Sequence, residues 1–268
     1  ENYPFDYKTY GYDVPAKSQT VDFGNNKANA QRPLTEFEQA HLTAQRNAAL
    51  PVDKGGLGLA ADNTAMDRAR AMGFDVDNPV YHGTGADFPN FQGSTTGKTR
   101  GSGVFFTENP SVASTYASSN GGSVIPAVLR TESPVQVSTN GANWNWIKKD
   151  AKVDAPRITV ADTEGDELMA ELFGDSSPVS IQKKAFKKTV GKLFPEDFKY
   201  DDHITTDDLA RWANKEGYDS ISFDSIKDRG PSGIFANAES ALPSKNTAAF
   251  DPKNIRSRFA AFDPFNRD

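Results

Sequence analysis

The segment Tyr81-His82-Gly83-Thr84-Gly85 constrains this chain more than any other. It sets a histidine at the end of a short strand (Pro79-Val80-Tyr81-His82) and follows it with two glycines that free the backbone for a turn or a close ligand approach. Gly101-Ser102-Gly103 then releases a second apolar strand, Val104-Phe105-Phe106-Thr107. Asn109 as cap and Pro110 in the first helical position start a helix on which Val112 and Tyr116 lie one turn apart. A histidine, mobile glycines, a strand and a helix start this close together mark the expected ligand site. Between them, Gly93-Ser94-Thr95-Thr96-Gly97-Lys98-Thr99 imitates a phosphate-binding loop, but it has three residues between its glycines where that motif has four, and no helix follows. A loop is expected there, with Lys98 and Arg100 as solvated charges or, alternatively, as candidate phosphate contacts.

The remaining punctuation predicts an α+β chain. Residues 1–33 lack periodicity and read as an irregular arm. Thr35-Glu36-Phe37-Glu38 is a capping box that opens a helix to about Ala49. Asp62 or Asn63 caps a second helix, ended by Gly73, with Arg68 and Arg70 on a solvated face. Strands are expected over 123–130 and 134–137. Residues 140–216 are more charged and read as a helical insertion, including a basic helix over 180–194 with Lys183, Lys184, Lys187, Lys188 and Lys192 on one side, as a solvated face or, alternatively, a binding patch. Asp207 and Asp208 fit the first turn of a helix ending at Gly217, where the helix dipole accounts for them. A half-buried strand spans 218–226, Asp228-Arg229-Gly230-Pro231 turns the chain, and the last strand covers 247–251.

Several function classes fall away. The chain has no cysteine, which removes disulfides, thiolate metal sites and cysteine nucleophiles. A net charge of −6 argues against broad nucleic-acid affinity, though a local basic face remains open. No apolar run approaches the ~18 residues of a membrane helix, and no membrane partner is expected. His41, in the first helix, and His203, among Asp201, Asp202, Asp207 and Asp208, read as packed or solvated residues; no metal site is expected.

Tyr81-His82-Gly83-Thr84, then Gly101-Ser102-Gly103-Val104-Phe105-Phe106-Thr107 and Tyr116, resemble the NAD-binding core of ADP-ribosyltransferases of the diphtheria-toxin and poly(ADP-ribose) polymerase clade. Gly217-Tyr218-Asp219-Ser220-Ile221-Ser222-Phe223 and Phe250-Asp251-Pro252-Lys253-Asn254-Ile255-Arg256-Ser257 are similar to the transferase domains of phage and prophage polyvalent and minor-head proteins. The resemblance runs from about Leu57 to the C-terminus. It leaves residues 1–56 as an arm and helix, and 57–268 as the transferase-like domain. It implies split antiparallel sheets with NAD, as substrate, lying across the cleft between them. His82 resembles the histidine that bonds the adenosine-side ribose, and the Gly83 backbone the group that holds the nicotinamide carboxamide. Tyr116 resembles the aromatic stacked on the nicotinamide ring, with Phe105 where a second aromatic stands. Thr84, Gly103 and Arg100 complete the expected cofactor-binding set.

Two positions depart from the clade. A serine that bonds the carboxamide in many relatives is Ala113, and the glutamate that starts the last strand is Asn246. Asparagine can bond a ribose hydroxyl but brings neither negative charge nor a general base. Either Glu239, Asp228 or Asp224 supplies the carboxylate, or the transferase is weak, or the domain is a silent NAD-binding module. The expected activity is transfer of single ADP-ribose units to a macromolecule, protein favoured over nucleic acid on net charge, with NAD hydrolysis as an alternative. The resemblance places the protein in the cytoplasm or in a host cell after delivery from a phage particle or a secretion system.

Overall fold

The computed structural model describes residues 33–85, 90–95, 99–117, 122–162, 179–199, 201–230 and 242–266. The chain divides into two compact units, Glu1–Glu36 and Phe37–Asp268, and the fold belongs to the second. Helix α1 (Glu36–Ala49) buries Ala44 and Ala48. Helix α2 (Ala65–Ala71) is capped by Thr64 rather than by Asp62 or Asn63: the Thr64 hydroxyl accepts from Asp67 N at 3.1 Å, and the Asp67 carboxylate accepts from Thr64 N at 2.9 Å. Arg68 is not solvated as expected. It is buried, donating to Ala261 O, Asn63 O and Asn63 Oδ1, so its charge is spread over acceptors that replace water.

The strands follow in order: β1 (Val80–Thr84), β2 (Val104–Thr107), β3 (Ser123–Leu129), β4 (Pro134–Ser138), β5 (Ile147–Lys148), β6 (Lys152–Ala155), β7 (Ile158–Asp162), β8 (Val179–Lys183), β9 (Phe186–Thr189), β10 (His203–Ile204), β11 (Ser220–Ile226), β12 (Ser244–Ala249) and β13 (Ile255–Ser257). Helix α3 (Pro110–Ala117) follows β2, the single turn α4 (Val190–Leu193) follows β9, and α5 (Thr206–Lys215) precedes β11. Nine strands form one sheet in the order β13-β3-β1-β2-β12-β11-β4-β6-β9, and β5–β10 and β7–β8 make two small ladders.

This arrangement corrects three expectations. The sheet is mixed, not purely antiparallel, because β4 and β11 pair in parallel. The described parts of 140–216 carry β5 to β10 where a helical insertion is expected, with α5 the helix expected at its end, and the lysine-rich 180–194 segment is β8, β9 and the short α4. Its apolar residues fit helical spacing, but the pairing of Lys187 with Asp154 and Phe186 with Ala155 across β6 outweighs that weak local preference. The last long strand begins earlier than expected, so Asn246 lies within β12 rather than before it.

One sheet face carries Val135, Val137, Val153, Ala155, Ile221, Phe223 and Ala248, and packs with Leu209, Ala210 and Ala213 of α5 and with Ile147 and Ile204. Fully buried residues such as Phe223 and Leu209 each contribute roughly 1.5–3 kcal/mol. A second cluster joins Val80, Phe91, Val104, Phe106, Leu129 and Ile255 across β1, β2, β3 and β13. Within this second cluster the sheet is almost divided. β1 and β2 share one register pair, Tyr81 with Thr107, whereas β1 and β3 share five.

Candidate functional site

Beyond the Tyr81–Thr107 pair, β1 and β2 part, and the His82 side chain crosses the gap. Its Nδ1 donates to Phe105 O at 2.8 Å, since a carbonyl can only accept. In the neutral ring this leaves Nε2 as an acceptor. The ring is steadied edge-on by Phe91 and tilted against Phe106. Burial holds its pKa below the ordinary 6.5, against the opposing effect of the Phe105 carbonyl, so the imidazole is neutral at neutral pH.

Helix α3 reaches the same place because two glycines let it approach. A Cβ on Gly83 would lie 1.7 Å from Ala113 O, and one on Gly230, whose φ is +77°, would lie 2.1 Å from Thr115 Oγ1. The helix is thus seated between β1 and the turn after β11. Asn109 caps it, accepting from Ser111 N at 2.9 Å. That seat carries Tyr116 to the turn, where its hydroxyl donates to Asp228 Oδ1 and Oδ2 at 2.9 and 3.0 Å. Gly230 N donates to Asp228 Oδ1 at 2.9 Å, and Asn246 Nδ2 to Asp228 Oδ2 at 3.1 Å. Asn246 pairs with Thr107, and the hydroxyls of Thr107 and Ser244 lie 3.2 Å apart beside it.

The electrostatics of this array oppose one another. Asp228 is 6% exposed. Burial raises its carboxyl above the ordinary 3.8, although the bonds from Gly230, Tyr116 and Asn246 pull it down. Burial, with the Asp228 charge beside it, pushes the Tyr116 phenol up, so it stays a donor. Among the described residues one buried side-chain atom has no hydrogen-bond partner, Asp207 Oδ1 in the first turn of α5. Its charge adds to the upward push on Tyr116. A buried carboxylate held by three donors, with a neutral histidine across a strand gap, can stabilise a developing cation and orient hydroxyl groups.

A family model for ADP-ribosyltransferases in polyvalent proteins matches residues 78–261, from just before β1 to just past β13. The chain belongs to this family. Neither the curated proteins nor the solved structures give a match.

Set against the ADP-ribosyltransferase resemblance, the expected residues separate into groups. Tyr116, Asp228 and Asn246 converge through the hydrogen bonds above, Gly83 seats the helix that carries Tyr116, and His82 bonds Phe105 O on the neighbouring strand. Thr84 closes β1 opposite Ser123. Phe105 is half-buried and stacks on Phe223, with centroids 6.5 Å apart and planes 17° apart. Gly103, with φ +83°, lets β2 start close to β12, since a Cβ there would meet Ala249 O at 2.5 Å. Arg100 is exposed on a turn whose Gly101 O accepts from Asn214 Nδ2, and it makes none of the cluster's hydrogen bonds. Asp224 lies in β11, its backbone carbonyl accepting from Thr139 Oγ1. Glu239 and Lys98 lie outside the described residues. Sequence reasoning misses Gly230 as the seat of Thr115, the Ser244–Thr107 hydroxyl pair and the orphan Asp207 oxygen. Only the first leaves a local signal, a glycine two residues after the acid in a turn.

Proposed function

We propose that the chain transfers ADP-ribose from NAD to a macromolecular acceptor, one unit at a time, with Asp228 as the carboxylate of the site. One observation carries the reading: Asn246, standing where the clade has glutamate, donates to the buried Asp228 carboxylate that Tyr116 and Gly230 also hold. The reaction breaks the bond between ribose and nicotinamide; the electron pair leaves with nicotinamide, and an acceptor nucleophile bonds the cationic ribose carbon as it loses its proton. In this reading His82 Nε2 accepts from a ribose hydroxyl, the Gly83 backbone holds the carboxamide, and Tyr116 and Phe105 flank the ring. Asp228 supplies the negative charge the ribose cation needs and a base for the acceptor proton.

A second reading, a silent NAD-binding module, is favoured by Asn246, by Ala113 and by the burial of Asp228. NAD carrying a label in its nicotinamide separates the two. The protein is expected to release labelled nicotinamide, and His82→Ala to slow release by at least ~100-fold through loss of ribose positioning. Heat on titration with NAD, but no release, would favour the silent module. Free ADP-ribose as the main product would make water the acceptor.

A further inference from the structure

Strand β9 is an outer edge of the nine-stranded sheet. Its in-register rows, Gln136–Asp154–Lys187 and Ser138–Lys152–Thr189, lie on the face turned away from the buried Val137 and Val153. With Lys192 they line an open groove of about 550 Å³; Lys188 borders it, but is in register with the buried Val153 and sets its ammonium over the Phe186 ring, 5.0 Å from the centroid. Among the described residues that face it, Lys152, Lys187 and Lys192, the hydroxyls of Ser138 and Thr189 and the amide of Gln136 are hydrogen-bond donors. Asp154 is already paired with Lys187 at 2.9 Å. Lys152 and Lys192 make no ion pair among the described residues. A chain of net charge −6 therefore has a local face of opposite sign, which a whole-chain sum conceals.

Lysine on an edge strand commonly guards that edge against pairing with another sheet. That duty explains Lys187 and Lys188, but it requires neither Lys152 on the interior strand β6 nor Lys192 on α4 to converge on the same groove. Lysine combined with hydroxyl and amide donors is the set that contacts phosphate oxygens along nucleic acid. The donors sit on rigid, in-register strand rows and, among the described lining residues, stand without an aromatic stacking platform, which suits a duplex better than a single strand. We propose that this groove docks a nucleic-acid duplex by its phosphate backbone. The inference goes beyond the transfer reading, in which it would favour a nucleic-acid acceptor over the protein that net charge suggests. It stands without that reading, because docking is measured in the absence of NAD.

The test is fluorescence anisotropy of a ~20-base-pair labelled DNA duplex with the full chain over a range of salt. Binding with Kd of roughly 10⁻⁶–10⁻⁴ M, weakening steeply as salt rises, is expected. The exposed lysines tolerate substitution; Lys187 is 83% exposed. The variant Lys152→Gln/Lys187→Gln/Lys192→Gln is expected to weaken binding at least ~10-fold and to flatten the salt slope by about one unit per lysine. Lys184→Gln, outside the groove, is expected to bind as the parent does. Nicotinamide release, where the parent shows it, stays unchanged in the triple variant. Absence of salt-dependent binding, undiminished binding by the triple variant, or displacement of the duplex by equal concentrations of single strand or poly-glutamate would each overturn the proposal.

Discussion

Gly83→Ala is expected to be among the most destabilising single substitutions in the chain, costing more than ~4 kcal/mol. The new Cβ would lie 1.7 Å from Ala113 O, 2.6 Å from Ala113 C and 3.0 Å from Tyr116 Cβ. Two of these are backbone atoms of a helix and cannot rotate aside. Helix α3 would have to withdraw from β1, carrying Tyr116 away from Asp228, so fold and site fail together. At ~2–4 °C per kcal/mol for a domain of this size, Tm is expected to fall by roughly 8–16 °C. Gly101→Ala is the internal comparison. Its backbone is left-handed, with φ +77°, but its Cβ would meet only Arg211 Cγ, at 3.9 Å, so it is expected to lose about 1–2 kcal/mol. Equal losses in the two variants would show that α3 does not sit this close to β1.

The second large effect has the opposite sign for stability. Asp228→Asn is expected to raise Tm by a few degrees at neutral pH. Burial lifts the Asp228 carboxyl above its unfolded value of 3.8, so the native state holds that proton more tightly than the unfolded chain. Its contribution to stability is fully present below the unfolded value and is lost as pH rises through the folded one. Above that window the ionised, buried carboxylate is a cost, which a neutral amide of the same shape removes. The amide oxygen introduced at position 228 could still accept from Tyr116 and Gly230, and the Asn246 amide can turn to present its oxygen. The stabilisation is expected to shrink as the buffer is made more acid. A carboxylate kept for its hydrogen bonds alone would behave differently: the substitution would lower Tm, because donors would lose a charged acceptor.

How far these features are legible in the sequence depends on how local their causes are. Asn109-Pro110 announces α3, and Thr35 with Glu38 announces α1, because caps act within one turn. The 180–194 segment misleads for the converse reason. Its extended form comes from β6, many residues away, through Lys187 opposite Asp154 and Phe186 opposite Ala155, and no short-range pattern encodes that pairing. His82, Gly83 and Tyr116 stand out because a glycine follows the histidine and a helix start precedes the tyrosine. The Asp228–Asn246 hydrogen bond joins a turn to the neighbouring strand across residues 231–241, outside the described part of the chain, so sequence alone leaves Asp228 and Glu239 as alternatives. Asp207 reads as an ordinary first-turn acid. Only burial of its Oδ1 without a partner sets it apart.

A working carboxylate in the turn after β11, in place of one on β12, is read out by nicotinamide release from NAD by the parent chain, Asp228→Asn and Asp228→Asn/Asn246→Glu. Release by the parent is expected, with a loss of ~10²–10³-fold in Asp228→Asn and partial recovery in the double variant, whose second substitution returns an acid to β12. Release by Asp228→Asn at the parental rate would contradict that placement.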